Sequence, residues 1–87
     1  MKVNVLGTEA ACGTSSTNGS NFGSGTCVRL HNSGSTARLV SVETAGATLI
    51  GTFTLGAGGT EIISKDPTDE VFAAHAEVLA VKVGIIG

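Results

Sequence analysis

Along most of this chain apolar and polar residues alternate with a period of two, the spacing of strands with one buried face. Residues 2–6, KVNVL, alternate over a short span and predict a strand or an arm. In TCVRLHN (26–32), Val28 and Leu30 alternate with Cys27, Arg29 and His31. NSGS (32–35) carries turn chemistry. TARLVSVET (36–44) predicts the next strand, with Val40 and Val42 on one face, and AGA (45–47) breaks it. TLIGTFTL (48–55) sets Leu49, Phe53 and Leu55 against Thr48, Thr52 and Thr54. Gly51 inside that run predicts a bulge or a close backbone approach. GAGG (56–59) is a turn, TEIIS (60–64) a short strand, and EVFAA (70–74) another. VLAVKVGII (78–86) closes the set, with Leu79, Val81, Val83 and Ile85 on the expected apolar face and Lys82 on the other.

Helical spacing is weak throughout. DEVFAAHAEVLAV places Val71, Ala74 and Val78 at helical intervals. The β-branched residues after Val78 favour strand, so only a single turn near 73–77 is expected. Short strands separated by turn signals every eight to twelve residues predict an all-β fold. The expected architecture is a small antiparallel β-sandwich or barrel, of jelly-roll or Ig-like type.

Residues 7–25, GTEAACGTSSTNGSNFGSG, break the pattern. They are almost all Gly, Ser, Thr, Asn and Ala. Such a run supplies no core and predicts a polar loop or extended arm. The chain thus divides into an N-terminal strand plus arm (1–25) and a sandwich core (26–87), within one domain. Phe22 is the one large apolar residue of the arm. Its ring either anchors the loop on its own domain or docks on a neighbour. Asn18, Asn21 and Phe22 are the candidate neighbour-contact residues.

Composition sharpens this picture. Among 87 residues there are three Phe, no Trp and no Tyr, against thirteen Gly. Aromatic rings bury the most area per residue, and glycine loses the most backbone entropy on folding. A thin core of this kind points to a subunit that gains stability from neighbours. Five basic and seven acidic residues, without a Lys/Arg run, supply no nucleic-acid footprint. No apolar stretch approaches the ~18 residues of a membrane span. MKVNVLG is too short for a secretory core, so a soluble chain without a cleavable address is expected. Cys12 and Cys27 form no CxxC pair and no zinc set. The simplest reading puts Cys27 in a strand and Cys12 in a loop, with a bridge between them left open.

Charge concentrates only in SKDPTDE (64–70). Asp before Pro is type I turn chemistry, with Pro67 presetting φ and the Asp66 carboxylate accepting from N–H groups two residues on. Three carboxylates within five residues fall short of the six to eight oxygens that calcium needs. Adjacent turn residues do not separate an acid from a base. A corner is expected here, not a metal or proton-transfer site. His31 and His75 lack a converging nucleophile and acid. GSGT and GAGGT lead into strands, whereas phosphate cradles open helices. NGS (18–20) fits a glycan acceptor but reads more simply as a tight turn. No catalytic, cofactor or metal residues are expected, and no enzyme.

The segment TLIGTFTLGAGGTEIISKDPTDEVFA, followed by VLAVKVG, resembles small virion structural proteins of tailed bacteriophages, marine and cyanobacterial ones especially. Their pattern runs IGTFTL, a glycine turn, a short apolar strand, K-x-P-T-D and a final strand ending A-V-K-V. VRLHNSGSTARLVSV also fits, and the likeness covers residues 26–84. The resemblance implies a capsid decoration (cement) protein on the virion exterior, assembled in the host cytoplasm. Its partners would be the major capsid protein and copies of itself, expected as a trimer, with neither nucleic acid nor membrane. A tail, baseplate or fibre component and a carbohydrate-binding sandwich are the alternatives. The lack of Trp and Tyr weakens the last.

Overall fold

A computed structural model describes residues 2–86. Eight strands follow one another: β1 (Lys2–Val5), β2 (Ala10–Ala11), β3 (Cys27–Asn32), β4 (Arg38–Glu43), β5 (Leu49–Leu55), β6 (Thr60–Ser64), β7 (Glu70–Ala73) and β8 (Val78–Ile86). A single 3-10 turn covers Ser16–Asn18. The strands form two antiparallel sheets. One runs β1-β8-β3-β6, with β2 also on β8, and the other runs β5-β4-β7. The fold is an open β-sandwich and not a closed barrel.

Alternation places the core. Val28 and Leu30 of β3, Val40 of β4, Leu55 of β5, and Val71 and Ala73 of β7 meet in one cluster. β8 departs from expectation. Its core-facing residues are Val78 and Ala80, in register with Asn32 and Leu30. Val81 and Val83, on the face predicted to be apolar, are buried outside that cluster. A strand apolar on both faces gives no sign in its own sequence of which face meets the second sheet.

The turns follow their chemistry. In GAGG the Gly59 N–H donates to the Gly56 carbonyl at 2.8 Å, and Gly58 holds φ at +70°, a conformation that glycine adopts without a Cβ penalty. Residues 74–77 make one turn, closed by Val78 N–H to the His75 carbonyl. The register of β4 on β5 slips between Val42 and Glu43, which leaves Ile50 as an extra residue beside Gly51.

The N-terminal segment does not extend away from the domain. β1 and β2 pair with β8. Cys12 is 3% exposed, and its N–H bonds the Val78 carbonyl. Gly13 accepts from Ala73, and Ser20 exchanges both backbone bonds with Val71. The segment therefore pads its own sandwich, residues 10–12 along β8 and residues 13–20 along the outer edge of β7. An unsatisfied edge N–H is costly to leave unpaired, and a chain tethered beside it satisfies it at little entropic cost.

Candidate functional site

The acidic segment folds as a corner. Asp69 N–H donates to the Asp66 carbonyl at 3.0 Å across Pro67–Thr68, closing the turn. One detail is reversed from expectation. The bridging carboxylate belongs to Asp69, whose Oδ2 accepts from Asp66 N–H at 3.3 Å. Lys65 donates to the Asp66 carbonyl at 3.2 Å. Partial burial pulls the Lys65 ammonium below its ordinary pKa, while Asp69 and Asp66 pull the other way. Among the described residues no three His, Cys, Asp or Glu side chains are placed to hold a metal ion.

The histidines stand apart. His31 Nδ1 lies 2.9 Å from Thr60 Oγ1 across the β3–β6 pair, in solvent. His75 Nδ1 accepts the Glu77 N–H at 3.1 Å, 3.8 Å from that residue's Oε1. Glu77 also pairs with Arg38, which ties the 74–77 turn to β4. Both cysteines are free. Burial pushes the Cys12 thiol up to about 11, so it is a poor nucleophile at neutral pH.

Three polar residues are buried, Asn32, Ser41 and Glu43, and the sequence gives no sign of it. Asn32 is fully buried and works as a hub. Its side-chain amide donates to the Thr36 and Leu55 carbonyls at 2.8 and 3.0 Å, and its Oδ1 accepts from Gly34 N–H at 3.0 Å. Its backbone bonds Gly58 and Gly59. One side chain thereby joins the turn after β3 to the turn after β5. Glu43 is 2% exposed. By alternation it projects from the face of β4 opposite Val40 and Val42. The 3-10 turn folds over it, and Ser16 Oγ donates to Glu43 Oε2 at 2.6 Å. Glu70 stands directly across on β7. Among the described residues Glu43 Oε1 has no hydrogen-bond partner. Gly19 closes over both acids; a Cβ there would stand 3.0 Å from Glu43 Oε1 and 3.2 Å from Glu70 Oε1.

The three candidate contact residues are not brought together as a free arm. Phe22 is half-buried and packs on the chain's own core, at φ +51°. Asn21 Oδ1 accepts from Ser24 N–H at 3.1 Å. Asn18 is exposed at the end of the 3-10 turn. Phe22 thus acts as the local anchor. Its ring lines a groove of about 290 Å³ with Leu6, Gly7, Thr8 and the β8 residues Val81 and Lys82.

What the surface offers instead is apolar side chains and open strand edges. Leu49 and Ile50 of β5 are 59% and 56% exposed, and Leu39 of β4 is 46% exposed. On the other sheet Val3, Val5 and Ile85 are exposed on one face, and Ile86 is exposed on the opposite face, as is Leu6 just beyond β1. Ile85 and β6 line a groove of about 480 Å³. Backbone edges of this kind recognise other strands, and exposed apolar patches mark contact surfaces. No family model, curated protein or solved structure matches the chain. Among the described residues no helix is long and apolar enough to cross a membrane.

Proposed function

We propose that this chain is a structural subunit of a phage virion, acting as a decoration protein that binds the outer capsid surface and bridges adjacent coat subunits. The resemblance of residues 26–84 to small virion proteins supports the reading. The observation that carries it is the exposure of so many large apolar residues on so small a sandwich. Leu39, Leu49 and Ile50 lie on one sheet; Val3, Val5, Ile85 and Ile86 lie on the other, with Leu6 just beyond β1. Exposed apolar residues on each of the two sheets suit a subunit that touches two neighbours at once. Many modest contacts, repeated by symmetry, hold a shell through avidity.

The test is to locate the chain in purified particles by cryo-electron microscopy and to count copies by quantitative mass spectrometry. Hundreds of copies on the outer shell, with these apolar residues against coat subunits, is the expected result. A few to tens of copies would move the chain to the tail, baseplate or fibre. Absence from particles, together with glycan-array binding by the isolated protein, would replace the structural reading with a carbohydrate-binding one.

A further inference from the structure

The sandwich manages three of its outer edges. β7 is covered by the N-terminal segment through Gly13 and Ser20. The β1–β2 edge is split into two short strands, the first beginning with Lys2. β6 carries Glu61 and runs into Lys65 and Asp66. Short strands, charges and covering loops are the usual defences against edge-to-edge pairing. Of the usual defences β5 has only the bulge at Ile50, which leaves Gly51–Leu55 regular. LIGTFTL holds no charge and no proline, and among the described residues nothing pairs with its outer side.

Backbone directions show what that edge presents. Ala74 N–H donates to the Leu39 carbonyl at 2.9 Å, so the polar groups of Leu39 face β7 and those of Val40 face β5. Val40 pairs with Phe53, so the N–H and C=O of Phe53 point into the sheet. Those of Thr52 and Thr54 then point outward. The same parity on β7 sends Val71 and Ala73 outward, where Ser20 and Gly13 meet them. From Gly51 to Leu55 the strand runs in continuous register against Val42 to Arg38, and it slips only beyond Gly51, at Ile50.

We propose that the regular segment Gly51–Leu55 pairs antiparallel with the same segment of a second copy of this chain, about a twofold axis at Phe53. Thr52 then faces Thr54 of the partner copy, and Thr54 faces its Thr52. Both are hydrogen-bonded pairs, as the outward groups require, and they close about four N–H···O=C bonds. Phe53 meets Phe53 in the intervening pair, where side chains approach most closely. Gly51 faces Leu55. The Leu55 side chain stays in its own core, and among the described residues a Cβ at Gly51 would meet nothing within 4 Å, so neither side chain obstructs the approach of the second strand. Exposed Leu49 and Ile50 flank the seam. The two three-stranded sheets become one of six strands.

A second copy suits this edge better than a foreign strand because each cross-strand pair is matched by symmetry and no charge selects a different partner. The contact closes at two subunits, in contrast to the trimer expected from sequence. It does not rest on the capsid reading, so the two fail separately.

The test uses the full chain at concentrations up to about 1 mM, where even weak association registers. Sedimentation equilibrium should show a monomer–dimer equilibrium. Thr52→Lys/Thr54→Lys and Thr52→Glu/Thr54→Glu each set like charges opposite one another and should be monomeric. Mixing the two variants should restore a dimer, with Lys opposite Glu. Both positions are exposed in the monomer, and far-UV circular dichroism checks the fold. If a variant misfolds, amide exchange of the unaltered protein decides. Thr52 and Thr54 amides should be protected at high concentration and lose protection on dilution. A wild-type monomer or trimer, a dimer that survives the lysine pair, a mixture that stays monomeric, or concentration-independent exchange overturns the proposal.

Discussion

At the residue scale, the polar groups inside the sandwich decide more than the charged corner does. Asn32 satisfies two carbonyls and one N–H that would otherwise be buried unpaired. Asn32→Ala should lower stability by about 3 kcal/mol, read from urea unfolding, because orphaned buried groups cost more than the bond itself contributes. Glu43 predicts the opposite sign. Its Oε1 is buried without a donor among the described residues, and Glu70 sits directly across. An amide nitrogen in that place can donate toward Glu70, where a carboxylate oxygen only accepts. Glu43→Gln should stabilise the protein by about 1 kcal/mol while keeping the Ser16 bond. Cys12 sets a pH window. Its folded pKa is raised from 9.0 to about 11, so the folded state keeps a proton that the unfolded state releases. The associated stability is complete below pH 9 and is lost as pH rises toward 11, by about 2–3 kcal/mol. Chemical unfolding across that range, compared with Cys12→Ala, reads it.

Elements were legible from sequence to different depths. β3, β4, β5 and β7 follow from period-two alternation, β6 and β8 from short β-branched runs between turn signals, and the turns from Gly, Asn and Pro. Two features were not legible. The core face of β8 depends on pairing with β3, because residues 78–83 are largely apolar on both faces. The Gly- and Ser-rich arm has no periodicity. Its course is set by the unpaired edge of β7 and by Glu43, far away in sequence. Gly13 shows how tight that course is, since a Cβ there would lie 2.0 Å from the Asn18 carbonyl oxygen. Gly13→Ala should detach the arm without unfolding the sheets. Val71 and Ala73 amides would then exchange faster and residues 13–22 would become protease-sensitive, while β3 amides stay protected.

For the whole molecule, stability and assembly are linked. A thin core that binds its own copy through β5 gains stability by mass action. The apparent Tm should rise with protein concentration in the wild type and stay constant in Thr52→Lys/Thr54→Lys. Differential scanning calorimetry over a hundredfold concentration range checks this. The acidic corner was readable in advance because its chemistry is local, with Pro67 and the Asp66–Asp69 contacts lying within four residues. The exposed edge was not, because a strand's sequence does not tell whether it ends a sheet or lies inside one.

By itself the sequence determined the strands from β3 to β8, the turns between them and the all-β class, since alternation and turn chemistry act between near neighbours. Only the tertiary structure decided that the polar arm folds back on β7, that Asn32 and Glu43 are buried, and that β5 is left bare. Those outcomes depend on which distant segments compete for the same backbone groups, and that competition is settled only when the two sheets close on each other.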